Sequence, residues 1–177
     1  MNKKIYTSYF TPGTPIWAVA AAVGAILVVL PSAIWRIIVA LDIDVGMTSA
    51  WKQAEHIPGW GTLYATTISV LSLILASMTL GLVQKWGQKL PAWVPFMGQK
   101  NVPTKLAVGT AVIGALAVIA ICVYCAMNWH RIVGFAGMPT PLGYAIVTAA
   151  YVPMLAWGPL VLVAAYGYWR RRRKEGI

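Results

Sequence analysis

Two arginines, Arg36 and Arg131, are the residues whose types and positions most directly indicate a binding function. Arg36 directly follows Trp35, Arg131 is two residues after Trp129, and both are near the end of a long apolar stretch. Guanidinium groups bind carboxylates and phosphates through paired hydrogen bonds, and an imidazole nearby adds a group that titrates near neutral pH. With His56 and His130, the two arginines therefore form a candidate ligand-binding site for a small anion.

A simpler interpretation of the two arginines stays open beside this one. A charge at the edge of a membrane seeks water, lipid phosphate or a counterion. In that case Arg36 and Arg131 reach the headgroups or pair with the acids of the loop after the first apolar stretch. These acids are Asp42, Asp44 and Glu55.

Two cysteines and a histidine suggest a metal, haem or redox site near the end of the third apolar stretch. A closed zinc site needs four ligands, and Cys122, Cys125 and His130 supply three. A haem-attachment motif has histidine directly after the second cysteine, where this chain has Ala126. We therefore predict no metal and no cofactor, and interpret both thiols as small packing residues. The sequence also has no phosphate-binding loop, paired-carboxylate motif or hydrolase triad, so no catalytic site is predicted.

Four apolar stretches must position these residues. Each is long enough for the ~20 helical residues that cross about 30 Å of hydrocarbon. The sequence predicts an all-α membrane protein, a four-transmembrane-helix bundle over residues 16–169, with a cytoplasmic lead over 1–15 and a basic cytoplasmic tail over 170–177. The predicted spans are 16–41, 61–83, 106–127 and 144–169.

The positions of the cations predict the orientation. Most of the 14 Lys and Arg residues lie before the first span, between spans two and three, or after span four. Lysine and arginine near short loops resist translocation, so these segments should face the cytoplasm with both chain ends. The net charge of +10 does not indicate nucleic-acid binding, because the cations flank the spans instead of covering one face of a soluble domain. The Arg-rich tail should fix span four in register and meet anionic lipid.

Helix breakers and small residues refine this picture. Pro31 should interrupt span one, and Pro153 and Pro159 should bend span four. Alanines four residues apart in span three predict a helix contact, as does the hydroxyl-rich face of span two. A weak repeat of the Trp-Arg segments suggests two parallel helical hairpins, which would bring Arg36 and Arg131 together at one outer mouth.

The loop between spans two and three mixes aromatic, proline and basic residues. Trp86 and Trp93 should seek the membrane interface, while Lys85 and Lys89 face anionic headgroups. These four residues are predicted to contact the inner leaflet, and the alternative is that they form a docking surface for a partner.

Several motifs carry a resemblance to known proteins. They are Leu80-Gly81-Leu82-Val83-Gln84, Trp86-Gly87, Pro91-Ala92-Trp93-Val94-Pro95, Pro31-Ser32-Ala33-Ile34-Trp35-Arg36 and Trp157-Gly158-Pro159-Leu160. The chain resembles small, uncharacterised four-span integral membrane proteins of actinobacteria over most of its length. The resemblance implies a bacterial plasma membrane and brings no activity. Such proteins often have an acid after Trp-Gly, where this chain has Gln88, so no role of that acid is transferred.

These observations together favour a non-enzymatic membrane protein. We expect an accessory or sensing subunit that engages lipid, a membrane-protein partner or a small amphiphile, with a homo-oligomer as a further arrangement. The first alternative is a transport-related protein that binds a small anion at the Arg36/Arg131 mouth. The second is a membrane-embedded enzyme that uses Cys122, Cys125 or His130.

Overall fold

Four apolar helices form the framework of the protein. The computed structural model describes residues 9–43, 45, 47–88, 102–135 and 141–174. Over these residues no β-strand occurs, and four helices are long and apolar enough to span a membrane. The predicted all-α four-helix bundle is confirmed. Spans one to four run over Ile16–Ala40, Trp60–Leu82, Thr104–Met127 and Pro141–Lys174.

The helices are numbered in chain order. Span one consists of α1 (Ile16–Leu27) and α2 (Leu30–Ala40), and α3 (Ser49–Ala54) lies in the loop that follows. Span two consists of α4 (Trp60–Met78) and a 3-10 turn over Thr79–Leu82, and a second 3-10 turn covers Lys85–Gln88. Span three is α5 (Thr104–Met127), followed by α6 (Trp129–Phe135). Span four consists of α7 (Pro141–Tyr151), a 3-10 segment over Val152–Ala156 and α8 (Trp157–Lys174).

Prolines interrupt spans one and four, as the sequence predicts. Proline has no N–H to donate to the carbonyl four residues earlier, so a regular helix breaks near it. Span one breaks between Leu27 and Leu30, just before Pro31, and the Ser32 hydroxyl donates to the Val29 carbonyl at 2.9 Å. Span four changes to a 3-10 segment that contains Pro153.

Small residues set which spans pack together. A Cβ on Gly167 of α8 would overlap the Cβ of Ala18 in α1 and lie 3.2 Å from the Trp17 ring. A Cβ on Gly158 of α8 would lie 2.9 Å from the carbonyl oxygen of Ala115 in α5. Span one also packs on span two, through α2 and α4. Two hairpins, spans one with two and three with four, are thus joined by the contact of α1 with α8.

One end of the bundle, which we call the basic end, holds the chain lead, the end of span two and the end of span four. The Thr11 N–H donates to the Val83 carbonyl at 3.0 Å. Arg171 donates to the Thr14 hydroxyl, and Arg172 donates to the Val102 carbonyl at 3.1 Å. Helix α8 therefore continues through the start of the predicted tail.

The side chains of Arg171 and Arg172 lie inside the protein, with exposed fractions of 3% and 4%. Both guanidinium groups lie over the Tyr168 ring, at 5.2 and 5.7 Å from its centroid. The prediction that the tail arginines meet lipid is therefore wrong for these two residues. A buried aromatic face and nearby backbone and hydroxyl oxygens hold their charges instead.

The opposite end of the bundle is covered by an apolar cluster built around Trp35, Val39 and Ile57, to which α6 and α7 also contribute. Helix α3 begins at Ser49 because the Thr48 side chain accepts a hydrogen bond from the Trp51 N–H at 3.3 Å. An ion pair of 2.7 Å between Lys52 and Asp42 ties this helix to the end of span one.

Candidate functional site

A groove of about 450 Å³ lies between spans two and three, toward the basic end. Among the described residues, these two spans do not pack closely against each other. The walls include Leu75 and Met78 of span two and Ala111 and Gly114 of span three, and Trp157 of α8 completes the lining. The groove is lined almost entirely by apolar side chains.

The groove exists because each hairpin buries a different face. Span three packs on span four where Gly158 meets Ala115, and Ala115 is the one buried residue of α5. The other small residues of span three include Gly114, and a Cβ at this position would meet no atom within 4 Å. Span three thus presents a smooth wall to an open space, and only part of its small-residue ridge packs on a helix.

Two glycines close the basic end of the groove. A Cβ on Gly87 would overlap the backbone of Gly81, so the two 3-10 turns meet backbone to backbone. This contact needs glycine because any side chain would push the turns apart. The Trp86 ring packs beside Gly81 and remains 58% exposed.

Two lysines are close in sequence to the residues that line this end of the groove. Lys85 directly precedes Trp86, Lys105 is the second residue of α5, and both are exposed. Of the loop residues predicted to contact the inner leaflet or a partner, Lys85 and Trp86 are therefore exposed at the basic end. Trp93 and Lys89 lie outside the described residues. The role of all four stays a prediction.

Arg36 is half-buried and contacts span two. Its Nε donates to the Ser69 hydroxyl at 3.0 Å and its Nη2 donates to the Ser72 hydroxyl at 3.1 Å. Its guanidinium carbon lies 5.8 Å from the centroid of the Tyr151 ring. Both serines are buried near the middle of the 23-residue span two. Over the described residues, no carboxylate pairs with this cation.

The two serines are suited to hold a cation. The Ser69 hydroxyl donates its own proton to the Ala65 carbonyl at 2.7 Å, and the Ser72 hydroxyl donates to the Ser69 carbonyl at 2.9 Å. Each oxygen therefore presents lone pairs to Arg36. The guanidinium receives two acceptors and an aromatic face, while no serine proton is left unbonded.

The other residues of the predicted anion site make contacts of their own. Arg131 is exposed in α6, and His56 is exposed in the loop before span two. His130 stacks on Tyr144, with ring centroids 6.1 Å apart. A long side chain in a helix points back toward the helix N-terminus, and in α2 this direction leads Arg36 toward span two. A shared anion site of Arg36, Arg131, His56 and His130 stays a prediction.

A second cavity of about 400 Å³ lies between span three and the first half of span four. Its lining includes Cys122, Cys125, Trp129 and Tyr151. The Cys122 thiol donates to the Met154 carbonyl at 3.6 Å, which satisfies an oxygen of the 3-10 segment. In the part of the chain that the structure describes, no three His, Cys, Asp or Glu side chains converge as a metal site.

Sequence reasoning found Arg36 and missed its partners. The sequence did indicate that two hydroxyls could act together, because Ser69 and Ser72 are three residues apart and share one face of a helix. The groove gave no comparable signal, since it arises from the absence of a contact between two spans. The run Ala107, Ala111 and Ala115 predicted packing along its whole length, and only Ala115 is fully buried.

Comparison with known proteins gives no match to a family model, a curated protein or a solved structure. The resemblance to actinobacterial four-span proteins therefore stays a prediction. The groove and the half-buried Arg36 are the features of this structure that bear on function.

Proposed function

We propose that this protein is a non-enzymatic integral membrane protein, an accessory or sensing subunit that holds a small amphiphile between spans two and three. The groove is the single observation that carries the proposal. Its volume of about 450 Å³ falls within the range of about 300–1,000 Å³ for small-molecule sites. In a bilayer, such an apolar space takes up an apolar chain, because water would gain few hydrogen bonds there.

The proposal also includes the orientation of the protein in the membrane. We place the basic end in the cytoplasm, because lysine and arginine accumulate on that side of bacterial plasma membranes. The groove would then open toward the inner leaflet. A membrane-protein partner and a second copy of this chain stay predictions for the subunit role.

The contacts of Arg36 favour the amphiphile over the transport alternative. The proposed small-anion mouth uses Arg36 and Arg131 together, and the guanidinium of Arg36 already donates to the hydroxyls of Ser69 and Ser72. The enzyme alternative also gains no support from Cys122, whose thiol proton is bonded to a backbone carbonyl. A packing role accounts for that thiol.

Filling the groove tests the proposal. Leucine at position 114 should project into the space between spans two and three, because a Cβ there meets no atom within 4 Å. Gly114→Leu should reduce the amphiphile that co-purifies in mild detergent by about tenfold, which corresponds to about 1.4 kcal/mol. Native mass spectrometry and analysis of the extracted small molecules would measure the reduction.

Gly109→Leu is the matched control. A Cβ on Gly109 also meets no atom within 4 Å, it lies in the same helix, and it does not line the groove. Thermal unfolding should be similar for the two variants. Equal retention of the amphiphile by Gly114→Leu, Gly109→Leu and the unchanged protein would contradict the proposal.

A further inference from the structure

The groove has an ordered polarity along its length. At its basic end the lining residues Trp86 and Ala107 are close in sequence to the exposed cations Lys85 and Lys105. The exposed indole of Trp86 comes next, and beyond it the walls become apolar. A phospholipid has the same order of charge, interface and acyl chain, and tryptophan prefers the level between headgroup and hydrocarbon. The polarity of the groove thus matches a lipid lying along it.

We propose, building on the function proposed above, that the occupant is an anionic phospholipid. One acyl chain lies between spans two and three, and the phosphate lies at the basic end, flanked by Lys85 and Lys105. Basic pockets between transmembrane helices are a recognised form of site for anionic headgroups.

The helices that form the groove carry positive charge and supply no carboxylate between Glu55 and Glu175. This stretch contains spans two, three and four. Over the described residues the ion pair found is that of Lys52 with Asp42, which belongs to the opposite end. Lys85 and Lys105 therefore have no nearby carboxylate from the helices that form the groove. A lipid phosphate supplies the missing negative charge.

The wall of the groove suits an acyl chain. The Thr110 hydroxyl, one of its few polar groups, donates to the Leu106 carbonyl at 2.9 Å, so its proton is already bonded.

Competition between two lipids with identical chains tests the inference. The full protein would be exchanged into bilayer nanodiscs containing equal amounts of dioleoyl phosphatidylglycerol and dioleoyl phosphatidylcholine, then released for native mass spectrometry. The unchanged protein should retain phosphatidylglycerol about 10- to 30-fold over phosphatidylcholine, as expected from two cations near a membrane surface. The double variant Lys85→Gln/Lys105→Gln should lose most of this preference.

The control removes the same charge from the same end. Arg170→Gln/Lys174→Gln neutralises two exposed cations of α8 that are well separated in sequence from its last lining residue, Val161. Lys85, by contrast, adjoins the lining residue Trp86, and Lys105 is two residues before the lining residue Ala107. The control should therefore keep the preference. An equal loss in both double variants would overturn the proposal, because the attraction would then be that of the whole basic end. An unchanged preference in Lys85→Gln/Lys105→Gln would also overturn it.

Gly114→Leu separates this inference from the function on which it rests. If Gly114→Leu lowers the retention of both lipids while the lysine variant leaves the preference intact, the groove holds a lipid and the headgroup assignment fails. If Gly114→Leu changes nothing, the proposed function fails as well. A co-purifying peptide in place of lipid would contradict the choice of occupant.

Discussion

Replacing Gly167 with alanine should lower the free energy of unfolding by about 1–3 kcal/mol, the usual cost of overpacking a well-packed contact. The added methyl group would overlap the Cβ of Ala18 and approach the Trp17 ring to 3.2 Å. Neither neighbour can yield easily, because Ala18 has no rotatable side chain and Trp17 stacks on Tyr166 at 6.0 Å. Spans one and four must therefore move apart along the contact that joins the two hairpins.

The measurement is reversible unfolding in mixed detergent micelles, with Gly109→Ala as the matched control. A methyl group on Gly109 meets no atom within 4 Å, and alanine is the better helix former by about 1 kcal/mol. Gly109→Ala should therefore unfold at the same or a higher denaturant concentration than the unchanged protein. Equal effects of the two substitutions would show that α1 and α8 are not in contact at Gly167.

Removing both serines beside Arg36 should have the largest effect among polar substitutions. Ser69→Ala/Ser72→Ala takes away two hydrogen-bond acceptors from a cation near the middle of span two. Hydrogen bonds to charged groups contribute about 1.5–3 kcal/mol each. We expect the free energy of unfolding to fall by about 2–4 kcal/mol, less than the full sum because the guanidinium keeps the Tyr151 ring.

The same serine substitutions should change the free energy of unfolding little when Arg36 has been replaced by a neutral residue. Arg36→Met fills a similar space and needs no acceptors, and both serine hydroxyls already donate to carbonyls of their own helix. In the Arg36→Met background, Ser69→Ala/Ser72→Ala should cost less than about 1 kcal/mol. A double-mutant cycle measures the difference. Additive effects in the two backgrounds would contradict the observed contact of Arg36 with span two.

The bundle follows from the sequence because hydropathy alone determines which stretches can cross hydrocarbon. The predicted first span, 16–41, agrees closely with Ile16–Ala40. The last span extends beyond its predicted limits of 144–169, since Arg171 and Arg172 find partners inside the protein. No local pattern indicates that a run of arginines will pack against Tyr168 and the chain lead.

The candidate sites depend on contacts between distant segments and were only partly predictable. Arg36 could be identified from the sequence because it is a charged residue in an apolar stretch. The helical periodicity of span one does not indicate which neighbouring span Arg36 faces. The groove depends on a choice between packing partners, in which span three contacts span four through Gly158 and leaves span two aside. Which spans pack together depends on shape complementarity across the whole bundle, and this cannot be read from a single sequence.

The depth of the Arg36 charge has an electrical consequence. In an energised membrane, a cation fixed beside the middle of span two lies within the voltage drop across the bilayer. Moving one elementary charge through the full drop of 100 mV involves about 2.3 kcal/mol. The membrane potential therefore pulls on span one at a single point, and a neutral residue at position 36 would release that pull.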